Sequence, residues 1–236
     1  RFGLEGDEGV TIEFMGETSL GMAGMGFLYT NKETLSLGIG VMVNHLREKK
    51  IKPYALLDAV KQHPMIRKLI QGGETKEYSG HLIPEGGYHS VPPLSGHGWV
   101  ICGDAAQLVN FVHREGTNLA MTSGRLAGEA IIRAKEAGDF SAATLSWYDQ
   151  AIRESFVMKD LKKYRGMHQL LKETDPDLLF NRLPRAVNEA AYQLFLVDGE
   201  PKALKQKKMI ETIRQAAGGT MNLMRLGWKG WRAMNG

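Results

Sequence analysis

The sequence predicts an α+β architecture in which an antiparallel or mixed sheet region is followed by a helical C-terminal part. Three observations carry that reading. Strand-like segments cluster before Trp99, nearly every segment after Thr117 has helical apolar spacing, and one strand-to-helix joint at residues 99–117 separates the two regimes. With 236 residues, 43% hydrophobic and 24% charged, the chain is long enough to bury a sizeable core in one domain or two small ones.

The segments "VTIEFMG", "GFLYTN", "TLSLGIGVMVN" and "KEYSGHLIP" read as strands, and "TNKET" between the second and third reads as a hairpin turn. One helical interruption, "PYALLDAVKQHP", starts at Pro53, whose fixed φ suits a first turn, and stops before Pro64. "GWVIC" is a short continuous apolar run of the kind a buried strand shows, ended by Gly103 and Asp104. "GTNLAMTSGRLAGEAIIRAKEAGD" then reads as a helix closed by Gly138 at its C-cap. Ser141 caps "AATLSWYDQAIRESFVMKDLKKY", read as one helix, and "PRAVNEAAYQLF", "KALKQKKMIETIRQAA" and "TMNLMRLGWKGWRAM" complete the helical part. The chain opens "RFGLEGDEGV", without Met and within what reads as a strand, and is taken as a fragment.

Several classes of protein are excluded. No apolar run approaches the ~20 residues of a membrane-spanning helix, and the N-terminus lacks the order of a signal peptide. Cys102 is the only cysteine, so this chain cannot form an internal disulfide or build a cluster from its own thiols, and within its apolar run it reads as a small buried residue. His81, His89 and His113 are too scattered to argue a metal site, and none is predicted. From Lys159 onward 15 Lys and Arg face 8 Asp and Glu, a surplus of +7, against −3 for residues 1–158. No nucleic-acid motif accompanies this basic surface, so no nucleic-acid partner is expected; membrane headgroups or an acidic protein fit it. Trp228 and Trp231, with Met221, Met224 and Met234, form either an interfacial patch or, as such spacing more often signifies, part of the core.

The joint is where chemistry is expected. At the carboxyl end of a buried strand Asp104 would face a ligand crevice, where a carboxylate accepts hydrogen bonds from vicinal hydroxyls. Thirteen residues on, "EGTN" opens a helix whose free N–H groups and dipole favour partial negative charge. Ala120, Gly124 and Gly128 leave one face of that helix without bulk, suited to close packing. A flavin nucleotide offers both a ribityl chain and a ring that becomes anionic on reduction. Taken alone, Gly-Asp is also a common turn signal, and the small-residue stripe is also explained by packing.

"GDAA" followed by "REGTNLAMTSGRLAGEAI" resembles the second FAD-binding motif of glutathione-reductase-like flavoproteins. In detail the chain is similar to the electron-transfer-flavoprotein:quinone oxidoreductases and their FixC-type relatives. The likeness extends upstream through "HPMIRKLIQGGETKEYSGHLIPEGGYHSVPPL" and "GFLYTN" and downstream through "SFVMKDLKKYR" and "GWKGWRAM". It covers essentially the whole chain and implies a fragment of a glutathione-reductase-like FAD-binding fold. A sheet-rich substrate or quinone domain would span 1–98, the C-terminal piece of the FAD-binding domain 99–158, and a helical basic region 159–236.

The resemblance also implies roles. Gly103 and Asp104 would hold the FAD ribityl hydroxyls, and the backbone of Gly116, Thr117 and Asn118 would face the N1/C2=O edge of the isoalloxazine. Arg114 and Glu115 would tune the flavin or pair with each other. Gly24 falls on the family's quinone-contacting element, where Met25 departs from the pattern by replacing a second glycine. The GxGxxG for the ADP half is absent, so that half would be bound by an N-terminal segment missing from this chain. An iron–sulfur cluster would sit only on a separate ferredoxin-like partner. The implied activity is FAD-dependent relay of electrons between electron-transfer flavoprotein, or that ferredoxin-like protein, and quinone, in the cytoplasm and with peripheral contact at the cytoplasmic membrane face. The alternative is an FAD-dependent reductase or monooxygenase acting on a small or lipidic molecule, as in geranylgeranyl reductases. Gln107 after "GDAA", and no proline before Gly116, depart from the monooxygenase pattern.

Overall fold

A computed structural model describes residues 2–235. In chain order the elements are β1 (Thr11–Phe14), β2 (Gly24–Thr30), β3 (Leu35–Val41), α1 (Val43–Lys49), α2 (Pro53–Gln62), α3 (Pro64–Ile70), β4 (Ser95–Gly96) and β5 (Trp99–Val100). A 3-10 turn (Gly103–Ala106) then leads to α4 (Thr117–Ala137), α5 (Ala142–Glu154), α6 (Phe156–Lys163) and α7 (Met167–Glu173). A π turn (Leu178–Arg182) precedes α8 (Leu183–Phe195), α9 (Lys202–Ala216) and α10 (Thr220–Asn235). The architecture is α+β, with a small antiparallel sheet and a mostly helical C-terminal part, and it divides into two compact units.

The first unit comprises Arg1–Gly80 with Thr174–Arg225. Its sheet has the order β1-β2-β3, antiparallel throughout. Aromatic rings lie over glycines of the neighbouring strand: an added Cβ at Gly26 would meet the Phe14 ring at 1.9 Å, and one at Gly38 the Phe27 ring at 2.2 Å. These pairs fix the register that places Phe14 opposite Gly26 and Phe27 opposite Gly38. The β2–β3 hairpin forms where "TNKET" predicts it, with the Asn31 N–H donating to the Thr34 carbonyl at 2.9 Å. Prolines open α2 and α3 at their first positions, where a missing N–H costs nothing. Lys205 of α9 is 2% exposed, and its ammonium is satisfied by Asp198 Oδ1 at 2.5 Å and by the Leu196 carbonyl, which closes the α8–α9 connection.

The second unit comprises His81–Glu173 with Leu226–Gly236. Its core is Leu119, Leu126, Ala127 and Ala130 of α4 against Tyr148 and Ile152 of α5, closed by Val157, Leu161, Leu94, Ala106 and Leu108. Gly138 ends α4 in the left-handed region at φ 65°, its N–H returned to the last turn. The Ser141 hydroxyl accepts from Thr144 N at 3.4 Å at the start of α5, as the sequence predicts.

Several expectations are corrected. "KEYSGHLIP" forms no strand: among the described residues it pairs with no other segment, and Leu82 and Ile83 are 84% and 60% exposed. Bracketed by glycines on both sides, it lacks the neighbours that would satisfy a strand's edges. The helix expected from Ser141 to Tyr164 breaks at Ser155, which turns extended and caps a new helix by accepting from Val157 N at 3.2 Å. "GWVIC" contributes only Trp99 and Val100 to a two-residue ribbon with β4, and Cys102 beyond it is exposed instead of buried. On α10, Met221, Met224, Trp228 and Trp231 are 84%, 68%, 61% and 55% exposed, with the two indoles stacked at 5.3 Å, so they are not core residues. Among the described residues no helix is long and apolar enough to cross a membrane.

Candidate cofactor-binding site

The Gly103–Ala106 turn is pinned to the start of α4 from its first residue. Gly103 takes φ +60°, a left-handed conformation that glycine adopts without strain. Its N–H donates to the Ser123 hydroxyl at 3.0 Å, and that hydroxyl, fully buried, donates in turn to the Ala120 carbonyl at 3.0 Å. A Cβ at Gly103 would stand 3.3 Å from the Ala120 methyl, so the close approach permitted by small residues is made here. The stripe does not continue as expected: Gly124 and Gly128 face open space, because the core-facing side of α4 is the one carrying Leu126, Ala127 and Ala130.

From behind, Tyr148 of α5 donates its hydroxyl to the Ile101 carbonyl at 2.9 Å and fixes where the chain enters the turn. Burial holds the Tyr148 phenol above its ordinary pKa, so it remains a donor through neutral pH. Asp104 follows Gly103 with an exposed carboxylate that has no hydrogen-bond or ion-pair partner among the described residues. Gln107 then takes φ +60° and returns its N–H to the Asp104 carbonyl at 2.9 Å.

The loop back to α4 is tied by one residue. Asn110 exchanges backbone hydrogen bonds with Glu115, at 2.8 and 3.1 Å, and its Oδ1 accepts from Val112 N and His113 N. The loop therefore delivers Gly116 at a set position, and α4 begins there with no side chain capping it from Gly116. Asn118 Oδ1 accepts from Leu119 N at 3.0 Å. Thr117 and Asn118 thus lie in the turn of α4 just ahead of Ala120 and Ser123, the two residues that hold Gly103. The five residues singled out at the joint stand in one unit, on one turn and one helix start. Gly24 stands in the other unit, on β2, where a Cβ would come within 2.2 Å of the Gly40 carbonyl oxygen; strand packing alone requires glycine there.

These groups fit an extended ligand with hydroxyls at one end and an electron-rich edge at the other. An unpartnered carboxylate is an acceptor for hydroxyls, and open helix-start N–H groups are donors. Ser123 and Tyr148, which position the turn, escaped the sequence reading because their contacts span 20 and 47 residues. The one hint was Ser123 lying beside the small-residue stripe. His81, His89 and His113 do not gather, and no group of three His, Cys, Asp or Glu side chains could hold a metal among the described residues.

Residues 167–235 match the ETF-QO/FixC family C-terminal domain. The chain is 54% identical to Protein FixC of Rhizobium meliloti over 203 residues, 86% of this chain and 46% of that protein. It is 44% identical to Protein FixC of Azotobacter vinelandii over 238 residues, 99% of this chain and 54% of that protein. It is 37% identical to the probable electron transfer flavoprotein-quinone oxidoreductase YdiS of Escherichia coli, over 99% of this chain and 54% of that protein. The chain spans about half the length of the curated relatives it matches. It belongs to the ETF-QO/FixC family, on the FixC-type branch, and corresponds to the C-terminal portion of those proteins.

Proposed function

We propose that this chain is the C-terminal portion of an FAD-dependent oxidoreductase that passes electrons between an electron-transfer flavoprotein, or a ferredoxin-like iron–sulfur protein, and quinone. The observation that carries the reading is the exposed, unpartnered Asp104 carboxylate on a turn locked to the start of α4. In a glutathione-reductase-like fold, residues 99–158 would form the last piece of the FAD-binding domain. FAD, when bound, supplies reversible acceptance of electrons. Asp104 accepts from the ribityl hydroxyls, Gly116 leaves the backbone free to approach, and the N–H groups of Thr117 and Asn118 donate to the pyrimidine edge. Ser123 and Tyr148 hold the turn so that the carboxylate needs no reorganisation on binding. Cys102, the one cysteine of this chain, cannot ligate a cluster by itself, so an iron–sulfur cluster serving this relay would be carried outside this chain, on the ferredoxin-like protein in this reading.

Asp104→Ala in the full-length protein is expected to weaken FAD by about 1–3 kcal/mol, the cost of leaving hydroxyls without their acceptor. The measurement is flavin content after gel filtration, together with titration of the apoprotein. Flavin retention equal to wild type would remove Asp104 from the site.

The basic C-terminal third and the exposed Met and Trp side chains of α10 support peripheral contact with an anionic bilayer. Flotation of the full-length protein with anionic vesicles is expected at low salt, and to be lost at high salt or on truncation before Thr220. A protein that ignores such vesicles yet binds its ferredoxin-like partner would assign this surface to protein recognition.

A further inference from the structure

The second unit contains a cavity of about 810 Å³ that none of the five proposed flavin-site residues lines. Its walls come from the Gly86–Ser90 stretch, from Asn110 and Phe111, from the α6–α7 region and from the last turns of α10. Two glycines let these segments meet. Gly87 takes φ +69° beside His168, and a Cβ at Gly166 would stand 2.9 Å from the Ala233 backbone.

Two independent features make this a built site. First, Asn110 is 2% exposed, and although its Oδ1 and backbone are fully used, its Nδ2 has no partner among the described residues. A buried amide donor left empty has lost its hydration without compensation, a loss that a ligand acceptor would recover. Second, the lining charge is one-sided. Arg165, Lys172, Lys229 and Arg232 face a single lining carboxylate, Glu173, which pairs with Lys229 at 2.8 Å. Arg165, Lys172 and Arg232 have no carboxylate partner among the described residues.

Three uncompensated cations exceed what a lone carboxylate ligand needs, and the volume far exceeds that of an inorganic ion. The remaining wall includes the rings of Tyr88, Phe111 and Tyr164 with Leu161 and Leu170, a surface for a planar organic body. We propose that this cavity binds an organic phosphate with an aromatic ring, of the nucleoside-phosphate class, with Asn110 Nδ2 and Arg165 contacting the ligand and Lys172 and Arg232 attracting it at the mouth. Because Asn110 also sets the loop that ends at Gly116, such a ligand rests directly on the segment that leads into α4.

The test is calorimetric titration of the 236-residue chain with ADP, with adenosine and inorganic phosphate as controls. ADP is expected to bind at one site, more tightly than either control. Arg165→Ala should weaken it about tenfold, and Asn110→Asp, which keeps the Oδ1 acceptor but sets a carboxylate where the donor stood, by more than tenfold. Thermal melts establish that each variant is folded; should Asn110→Asp unfold, Arg165→Ala and Lys172→Ala carry the test. Asp104→Ala should leave ADP affinity unchanged. No ADP binding at millimolar concentration, equal binding of inorganic phosphate, indifference to the cavity variants, or loss in Asp104→Ala would each overturn the assignment.

Discussion

Gly24→Ala is expected to destabilise the first unit by about 3 kcal/mol or more. The added methyl would sit 2.2 Å from the Gly40 carbonyl oxygen, 2.5 Å from Val41 Cγ1 and 2.9 Å from the Val41 Cα. Two of those three atoms are backbone of the paired strand, in the register that sets Gly24 opposite Val41 and Met25 opposite Gly40. They cannot move aside without breaking the ladder, which places this change at or above the usual range for overpacking. Gly40→Ala is the internal control. Nothing lies within 4 Å of its Cβ position, so it should be neutral, or stabilising by a few tenths of a kcal/mol through loss of glycine's unfolded-state freedom. Urea midpoints of the two variants against wild type make the comparison. If Gly24→Ala melts like wild type, the strand geometry does not need glycine, and a ligand's approach becomes the better reason for it. If the expected loss is seen, a quinone-reduction defect in a Gly24 variant says nothing about quinone contact until folding has been restored.

The same residue illustrates which parts of this protein can be read from sequence. Features decided within a few residues are legible: the proline starts of α2 and α3, the Gly138 stop, the Ser141 cap and the "TNKET" turn all follow from local backbone chemistry. The Gly-Asp turn and the start of α4 are legible for the same reason, since a single run of sequence carries both. Features decided by a distant partner are not. "KEYSGHLIP" has the composition of a strand, but a strand exists only where another segment accepts its hydrogen bonds, and none among the described residues does. Cys102 follows an apolar run yet is exposed, because the run leaves its ribbon after Val100. The tryptophans of α10 have the spacing of a core helix, and only the packing shows that this face is left open. At the proposed site, Asp104 is visible in the sequence, whereas Ser123 and Tyr148, the residues that aim it, are not.

Tyr148 is where that aim should be most easily lost. Its side chain is fully buried among α4, α5 and the entry to the Gly-Asp turn, and its hydroxyl donates to the Ile101 carbonyl, two residues before Gly103. Tyr148→Ala is expected to cost about 3–5 kcal/mol, the range for truncating a buried aromatic ring, and to unfold the second unit under mild denaturant. Tyr148→Phe keeps the ring and isolates the hydrogen bond, with a loss of about 1 kcal/mol. The two variants also differ from wild type in their response to alkali. Burial raises the Tyr148 phenol above the value of about 10 that it has in the unfolded chain. The folded state therefore holds its proton when the unfolded state begins to lose it, and stability is intact below about pH 10 and falls as pH rises beyond it. Tyr148→Phe removes that proton, so its stability should fall less steeply above about pH 10, and the gap to wild type should narrow there. Because the ring of Tyr148→Phe still fills the core while the Ile101 carbonyl is released, full-length Tyr148→Phe should also bind FAD more weakly than wild type, though less so than Asp104→Ala. Equal alkaline slopes in wild type and Tyr148→Phe would show that the phenol is not held in the environment described. Undiminished flavin affinity in a folded Tyr148→Phe would show that the turn keeps its position without this hydrogen bond.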